Sequence, residues 1–105
     1  MLNEDLVRSA LKNVIDPEIG LDIVNLGLIY GVDITEDGRK VDVNMTLTTP
    51  ACPAGPQIME QARREVLGLN TVYSALEEVS INLVWVPFWK PDMMTQEARD
   101  ELGFF

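Results

Sequence analysis

The chain has one cysteine and no histidine among its 105 residues, so the chemistry open to it is narrow from the outset. Cys52 lies in the run Thr48-Thr49-Pro50-Ala51-Cys52-Pro53-Ala54-Gly55-Pro56, between a strand-like alternation and an amphipathic helical pattern. A helix start offers unpaired backbone N–H groups and the positive end of the macrodipole, and both favour a thiolate over a thiol. Pro50 and Pro53 narrow the backbone angles around the sulfur and so fix its direction at little ordering cost. Two readings fit this position: a preorganised nucleophile or metal ligand, and a small buried hydrophobe. Thr48 and Thr49 stand at the strand end, where a threonine serves β-structure or caps a turn as readily as it borders a site. The carboxylates Asp16, Glu18 and Asp22 complete the candidates, with Asp16 before Pro17 also reading as an ordinary turn element.

Much chemistry is excluded by counting. A single thiol forms no internal disulfide, the chain has no CxxC motif, and one sulfur falls short of the roughly four ligands of a zinc or iron–sulfur site. Without histidine, imidazole bases, Ser-His-Asp triads and histidine zinc sites cannot be built. Eight basic against seventeen acidic side chains give a formal charge of −9, which repels nucleic acid and anionic membrane surfaces. With 47% hydrophobic residues, no apolar run long enough to span a bilayer and no leader-like start, the sequence is expected to be a soluble cytoplasmic protein. Residues 1–105 are expected to form a single domain.

The elements that must position these groups can be read from periodicity. Asn3 can cap a first helix in which Leu6, Ala10 and Val14 recur every fourth residue beside Val7 and Leu11, and Pro17 should stop it near Asp16. Leu21 to Gly27 reads as a connecting segment after a turn at residues 16–20. From Leu28 to Thr35, Tyr30, Val32 and Ile34 alternate with Ile29, Gly31, Asp33 and Thr35; beyond Asp37-Gly38, Val41, Val43, Met45 and Leu47 alternate with Lys40, Asp42, Asn44 and Thr46. That pattern predicts a β-hairpin with one apolar face. Ile58, Ala62 and Val66 mark a second helix that Gly68 should end, and Val79, Ile81, Leu83 and Trp85 a third strand. Pro87 to Met94 cannot continue that ladder and should form an ordered loop, after which Thr95 caps a short helix ending near Gly103. Phe88, Trp89, Met93 and Met94 in that loop either plug the core or form an interaction patch. The order implies an α+β fold: a small, mainly antiparallel sheet of three or more strands with helices packed on one face.

Four stretches carry a resemblance: Asp16-Pro17-Glu18-Ile19, Ile23 to Tyr30, Met45 to Pro53 and Pro87 to Met94. In residue type, order and spacing they resemble the iron–sulfur cluster assembly domain family. That family includes a bacterial SUF-associated protein, a component of phenylacetate degradation and a eukaryotic cytosolic iron–sulfur targeting component. The resemblance implies an α+β domain, often a homodimer, that helps mature iron–sulfur proteins, with Cys52 as the functional thiol. It implies Glu18, Asp22, Thr48 and Thr49 as the border of the site. Where the family commonly carries an acidic residue this chain has Asn25, and where it carries an Asp-Pro-Pro-Trp-like string this chain has Val86-Pro87-Phe88-Trp89.

The expected function is therefore a non-enzymatic accessory in iron–sulfur cluster assembly, using Cys52 to engage iron, a cluster or a client apoprotein transiently. Cys52 would be a metal ligand that two protomers could share, since one chain supplies only one sulfur. Two other classes remain open: a thiol-dependent enzyme with Cys52 as nucleophile, and a protein–protein adaptor that docks through the Phe88 to Met94 loop.

Overall fold

The computed structural model describes residues 2–48 and 53–103, so Thr49 and Cys52 lie outside the described residues. Helix α1 spans Glu4–Leu11, β1 Ile29–Thr35, β2 Lys40–Met45, α2 Gly55–Leu67, β3 Glu78–Leu83 and α3 Gln96–Leu102. The caps are those read from the sequence. Asn3 accepts a hydrogen bond from the Leu6 amide at 2.9 Å, Thr95 accepts one from the Ala98 amide at 3.1 Å, and Gly103 ends α3 with φ 82°. Helix α1 stops at Leu11 rather than near Asp16, because the following segment is extended by pairing of its own. The Asp16 amide donates to the Leu21 carbonyl at 2.9 Å and the Ile23 amide to the Val14 carbonyl at 3.0 Å, which diverts the chain before Pro17 can act.

The fold is α+β with three strands in the order β1-β2-β3, and the sheet is mixed. β1 and β2 form the expected antiparallel hairpin, turned by Asp37 and Gly38 with positive φ of 58° and 89°, the backbone pattern of a type I′ turn. β3 returns through α2 and pairs parallel with β2, Val43 opposite Ile81, as a crossover helix requires. A bulge between Ile29 and Gly31 shifts the alternation of β1. It sets Ile29 opposite Met45 and Val32 opposite Val43, so Ile29 joins the apolar face instead of the polar set the alternation gave it.

Val41, Val43 and Met45 are fully buried on that face, and Val7, Leu11, Ile58, Ala62 and Val66 of α1 and α2 bury against it. Lys40, Asp42 and Asn44 point to the other, more open face. β3 ends at Leu83, short of Trp85, and the segment from Val84 to Met94 crosses as a strap to the far side of the sheet. Its apolar residues divide: Met94 is buried and Trp89 packs on the core, whereas Val86 and Phe88 are 84% and 63% exposed.

Candidate functional site

The thiol loop leaves β2 through Thr46, Leu47 and half-buried Thr48 and enters α2 through Pro53, Ala54 and Gly55. Gly55 is buried because the helix start lies against Leu47, two residues beyond β2: a Cβ there would stand 2.7 Å from Leu47 Cδ1. Pro56 occupies the first turn, where its missing N–H costs nothing. Among the described residues no side chain caps α2 at Ala54, and its first turn carries no acid. A 13-residue helix therefore presents its positive end, uncompensated by carboxylates of that turn, three residues after Cys52.

The loop from Asp22 to Gly27 leaves the sheet at the same end, since the Thr46 amide donates to the Leu28 carbonyl at 2.8 Å. Asp22 is a structural hub there. One carboxylate oxygen accepts the Val24 and Asn25 amides at 3.1 and 2.9 Å, and the other accepts Asn25 Nδ2 at 2.6 Å. Asn25 uses both halves of its amide, because Thr95 Oγ1 donates to its Oδ1 at 2.9 Å and the Thr95 amide to its backbone carbonyl at 2.9 Å. An acid at position 25 could accept from Thr95 but could not donate to Asp22, which gives a physical reason for the departure at Asn25.

The strap closes over this loop. Trp89 Nε1 donates to the Leu26 carbonyl at 2.6 Å, and the Tyr30 phenol donates to the Pro87 carbonyl at 2.7 Å. Gly27, with φ 78°, lies so close beneath the Met93 carbonyl that no side chain fits between them. Burial raises the Tyr30 pKa. Thr46 Oγ1 is itself buried and has no hydrogen-bond partner among the described residues.

Of the site residues expected from sequence, Asp22 and Thr48 belong to segments that meet at one end of the sheet. Glu18 is exposed and lines a groove with Ile19, Trp89, Pro91, Met94 and Leu102. Asp16, nearly fully buried, accepts the Glu18 amide at 2.9 Å and shapes the turn. Asn25, Gly27 and Tyr30 were not singled out as site residues; the one available signal was the glycine inside the Asn25-Leu26-Gly27 run, a mark of close backbone approach. Among the described residues no group of three or more Cys, Asp or Glu side chains is placed to hold a metal. No helix among them is long and apolar enough to cross a membrane.

The chain is 48% identical over 101 residues to a Porphyromonas gingivalis Fe-S protein maturation auxiliary factor, covering 96% of this chain and 90% of that one. It is 43% identical over 90 residues to the Staphylococcus aureus Fe-S protein maturation auxiliary factor SufT, covering 86% and 97%. A Deinococcus radiodurans iron-sulfur cluster carrier protein is 44% identical over 66 residues, which are 63% of this chain and 18% of that longer one. In structure, a domain of unknown function from Bacillus anthracis superposes with a TM-score of 0.84 at 35% identity over 97% of this chain and 92% of that one. Residues 4–77 match the profile of the iron-sulfur cluster assembly proteins, and the chain belongs to that family.

Proposed function

We propose that this protein is a non-catalytic accessory in the cytoplasmic maturation of iron–sulfur proteins, and that Cys52 is the thiol through which it engages iron, a cluster or a client. The near full-length likeness to proteins named Fe-S protein maturation auxiliary factors carries this reading. The uncapped, acid-free start of α2 supports a thiolate at Cys52, because the helix end favours the charged form. A lone thiolate suits transfer. A full ligand set holds its cargo tightly, whereas one sulfur leaves the other positions to the acceptor. Thr48, Thr49, Glu18 and Asp22 border the thiol loop in this reading, and Asp22 acts by holding Asn25 and the strap in place. The partners are the assembly machinery or apoproteins awaiting a cluster.

Anaerobic purification followed by iron and sulfide analysis, and then by mixing with an apoprotein acceptor, tests the proposal. Bound iron or sulfide, or acceleration of acceptor maturation, should be present in the wild-type chain and lost in Cys52→Ser with the fold intact. Equal behaviour of the two proteins would refute the role of the thiol.

A further inference from the structure

The groove beside Glu18 has a volume of about 440 Å³ and runs between the turn at residues 16–20, the strap and the end of α3. Apart from Glu18 its lining is apolar: Ile19, Trp89, Pro91, Met94 and Leu102. Trp89 is fixed there by its hydrogen bond to the Leu26 carbonyl, and Met94 is buried. Helix α3 is the weak wall. Its seven residues are too few for an isolated helix to persist in water, so it must be held by tertiary contacts. Ala98 and Leu102 are the apolar side chains it has for this, and Leu102 is still 36% exposed at the groove. Thr95 ties the start of α3 to Asn25, whereas among the described residues no hydrogen bond joins its last turn to another element.

Gly103 sets the direction of the chain beyond this helix. With φ 82° it donates from its amide to the Asp100 carbonyl at 3.3 Å and to the Arg99 carbonyl, the left-handed ending that reverses the chain onto the helix. In such an ending the residue after the glycine commonly carries an apolar side chain that packs back on the closing turns. Here that residue is Phe104, followed by Phe105. We propose that Phe104 and Phe105, which lie beyond the described residues, turn back at Gly103 and fill the groove between α3, the strap and the turn that carries Glu18. Two residues reach at most about 7 Å past Gly103, and Leu102, immediately before it, already lines the groove. Tethered so closely, the pair is present at an effective concentration on the order of millimolar, which a diffusing apolar partner must exceed. The lining also favours aromatic rings over aliphatic side chains, because Trp89 offers an indole for offset or edge contact and Met94 a thioether.

Filled in this way, the groove joins three segments that are distant in sequence: Ile19 from the turn shaped by Asp16, Trp89 and Met94 from the strap, and Leu102 from α3. The strap is then held at two places, by close approach over Gly27 and by the aromatic pair in the groove. The clamp does not involve Cys52, which separates its test from that of the proposed function.

NMR with labelled phenylalanine rings and methionine methyls, together with amide hydrogen exchange, decides the matter. The wild-type chain and Cys52→Ser should both show nuclear Overhauser contacts from the Phe104 or Phe105 ring to the Met94 methyl and the Trp89 indole. Replacing both phenylalanines, Phe104→Ser with Phe105→Ser, should speed exchange at Asp100, Glu101 and Leu102 by about tenfold or more, the effect of uncovering an aromatic side chain, while exchange in β1 and β2 stays unchanged. Gly103→Val keeps both rings, and its Cβ meets nothing within 4 Å, but a β-branched residue resists a positive φ. It should lose the ring contacts and speed exchange at the same three amides. Ring contacts absent from the wild-type chain, contacts that run to a second molecule in a mixed-label sample, contacts that persist in Gly103→Val, or exchange unchanged in both variants would overturn the proposal.

Discussion

Replacing Gly27 by alanine tests whether the strap is held down by close backbone approach. Two costs fall on this residue. Its φ of 78° lies in the left-handed region, which costs an L-residue roughly 1–2 kcal/mol, offset by about 0.4–1 kcal/mol of lost freedom in the unfolded chain. The Cβ would also meet the backbone carbonyl group of Met93, which a rotamer change cannot relieve. The strap must lift, weakening the hydrogen bonds from Trp89 to Leu26 and from Thr95 to Asn25, each worth about 1 kcal/mol. Loosening buried Met94 adds up to roughly 1.5 kcal/mol. Gly20 supplies the control, because its φ is 85° and a Cβ there meets nothing within 4 Å. Gly27→Ala should therefore be less stable than Gly20→Ala by about 2–3.5 kcal/mol, or roughly 8–15 °C in Tm for a domain of this size. Urea and thermal unfolding, followed by circular dichroism and by the combined fluorescence of Trp85 and Trp89, would measure the difference. Two variants within about 0.5 kcal/mol of each other, the scale of an ordinary surface substitution, would refute the argument.

Other outcomes follow from the same geometry. Asn25→Asp replaces a donor to Asp22 with a second carboxylate and should destabilise by about 1–3 kcal/mol at neutral pH. The like-charge pair raises one folded-state carboxyl pKa, so the loss should be largest at neutral pH and shrink as pH falls through that raised value; a pH-independent loss in urea titrations would contradict it. Thr46→Val removes a buried hydroxyl that has no partner among the described residues and should leave stability unchanged or raise it by up to about 1 kcal/mol, which a urea midpoint would show; a loss above about 1 kcal/mol would mean that the hydroxyl is bonded. Hydrogen bonds from Arg63 foremost, with Arg64 adding to them, hold Glu60 down at about 2. Its folded pKa is depressed, so its contribution to stability is present above the ordinary glutamate value and fades as pH falls toward 2. Carboxyl titration by NMR should find this, and Arg63→Gln should raise the Glu60 value.

Local signals in the sequence carried far. The Asn3 and Thr95 caps, Gly68 and Gly103 at helix ends, and the Asp37-Gly38 turn act within a few residues, so they were legible one at a time. The features that misled are settled by distant partners. Val14 keeps the helical spacing of α1 and is buried, but its carbonyl is taken by Ile23, nine residues on, and the helix ends early. Ile29 changes face because a bulge opposite Asn44 and Met45 shifts the period. The direction of β3 depends on α2 acting as a crossover, which periodicity alone does not encode. At the candidate site, Asp22 and Thr48 come to one end of the sheet, while Thr49 and Cys52 fall outside the described residues. Asn25 went unread as a link because an asparagine in a loop gives no sign of two partners as far apart in sequence as Asp22 and Thr95.

The most direct test of the central claim is the activity of iron–sulfur enzymes in cells that lack this protein, complemented with the wild-type chain or with Cys52→Ser at equal abundance. The account predicts that the wild-type chain restores cluster occupancy and activity and that Cys52→Ser, folded and expressed equally, does not. Equal restoration by both would contradict a functional thiol, and restoration by neither would contradict a role in maturation.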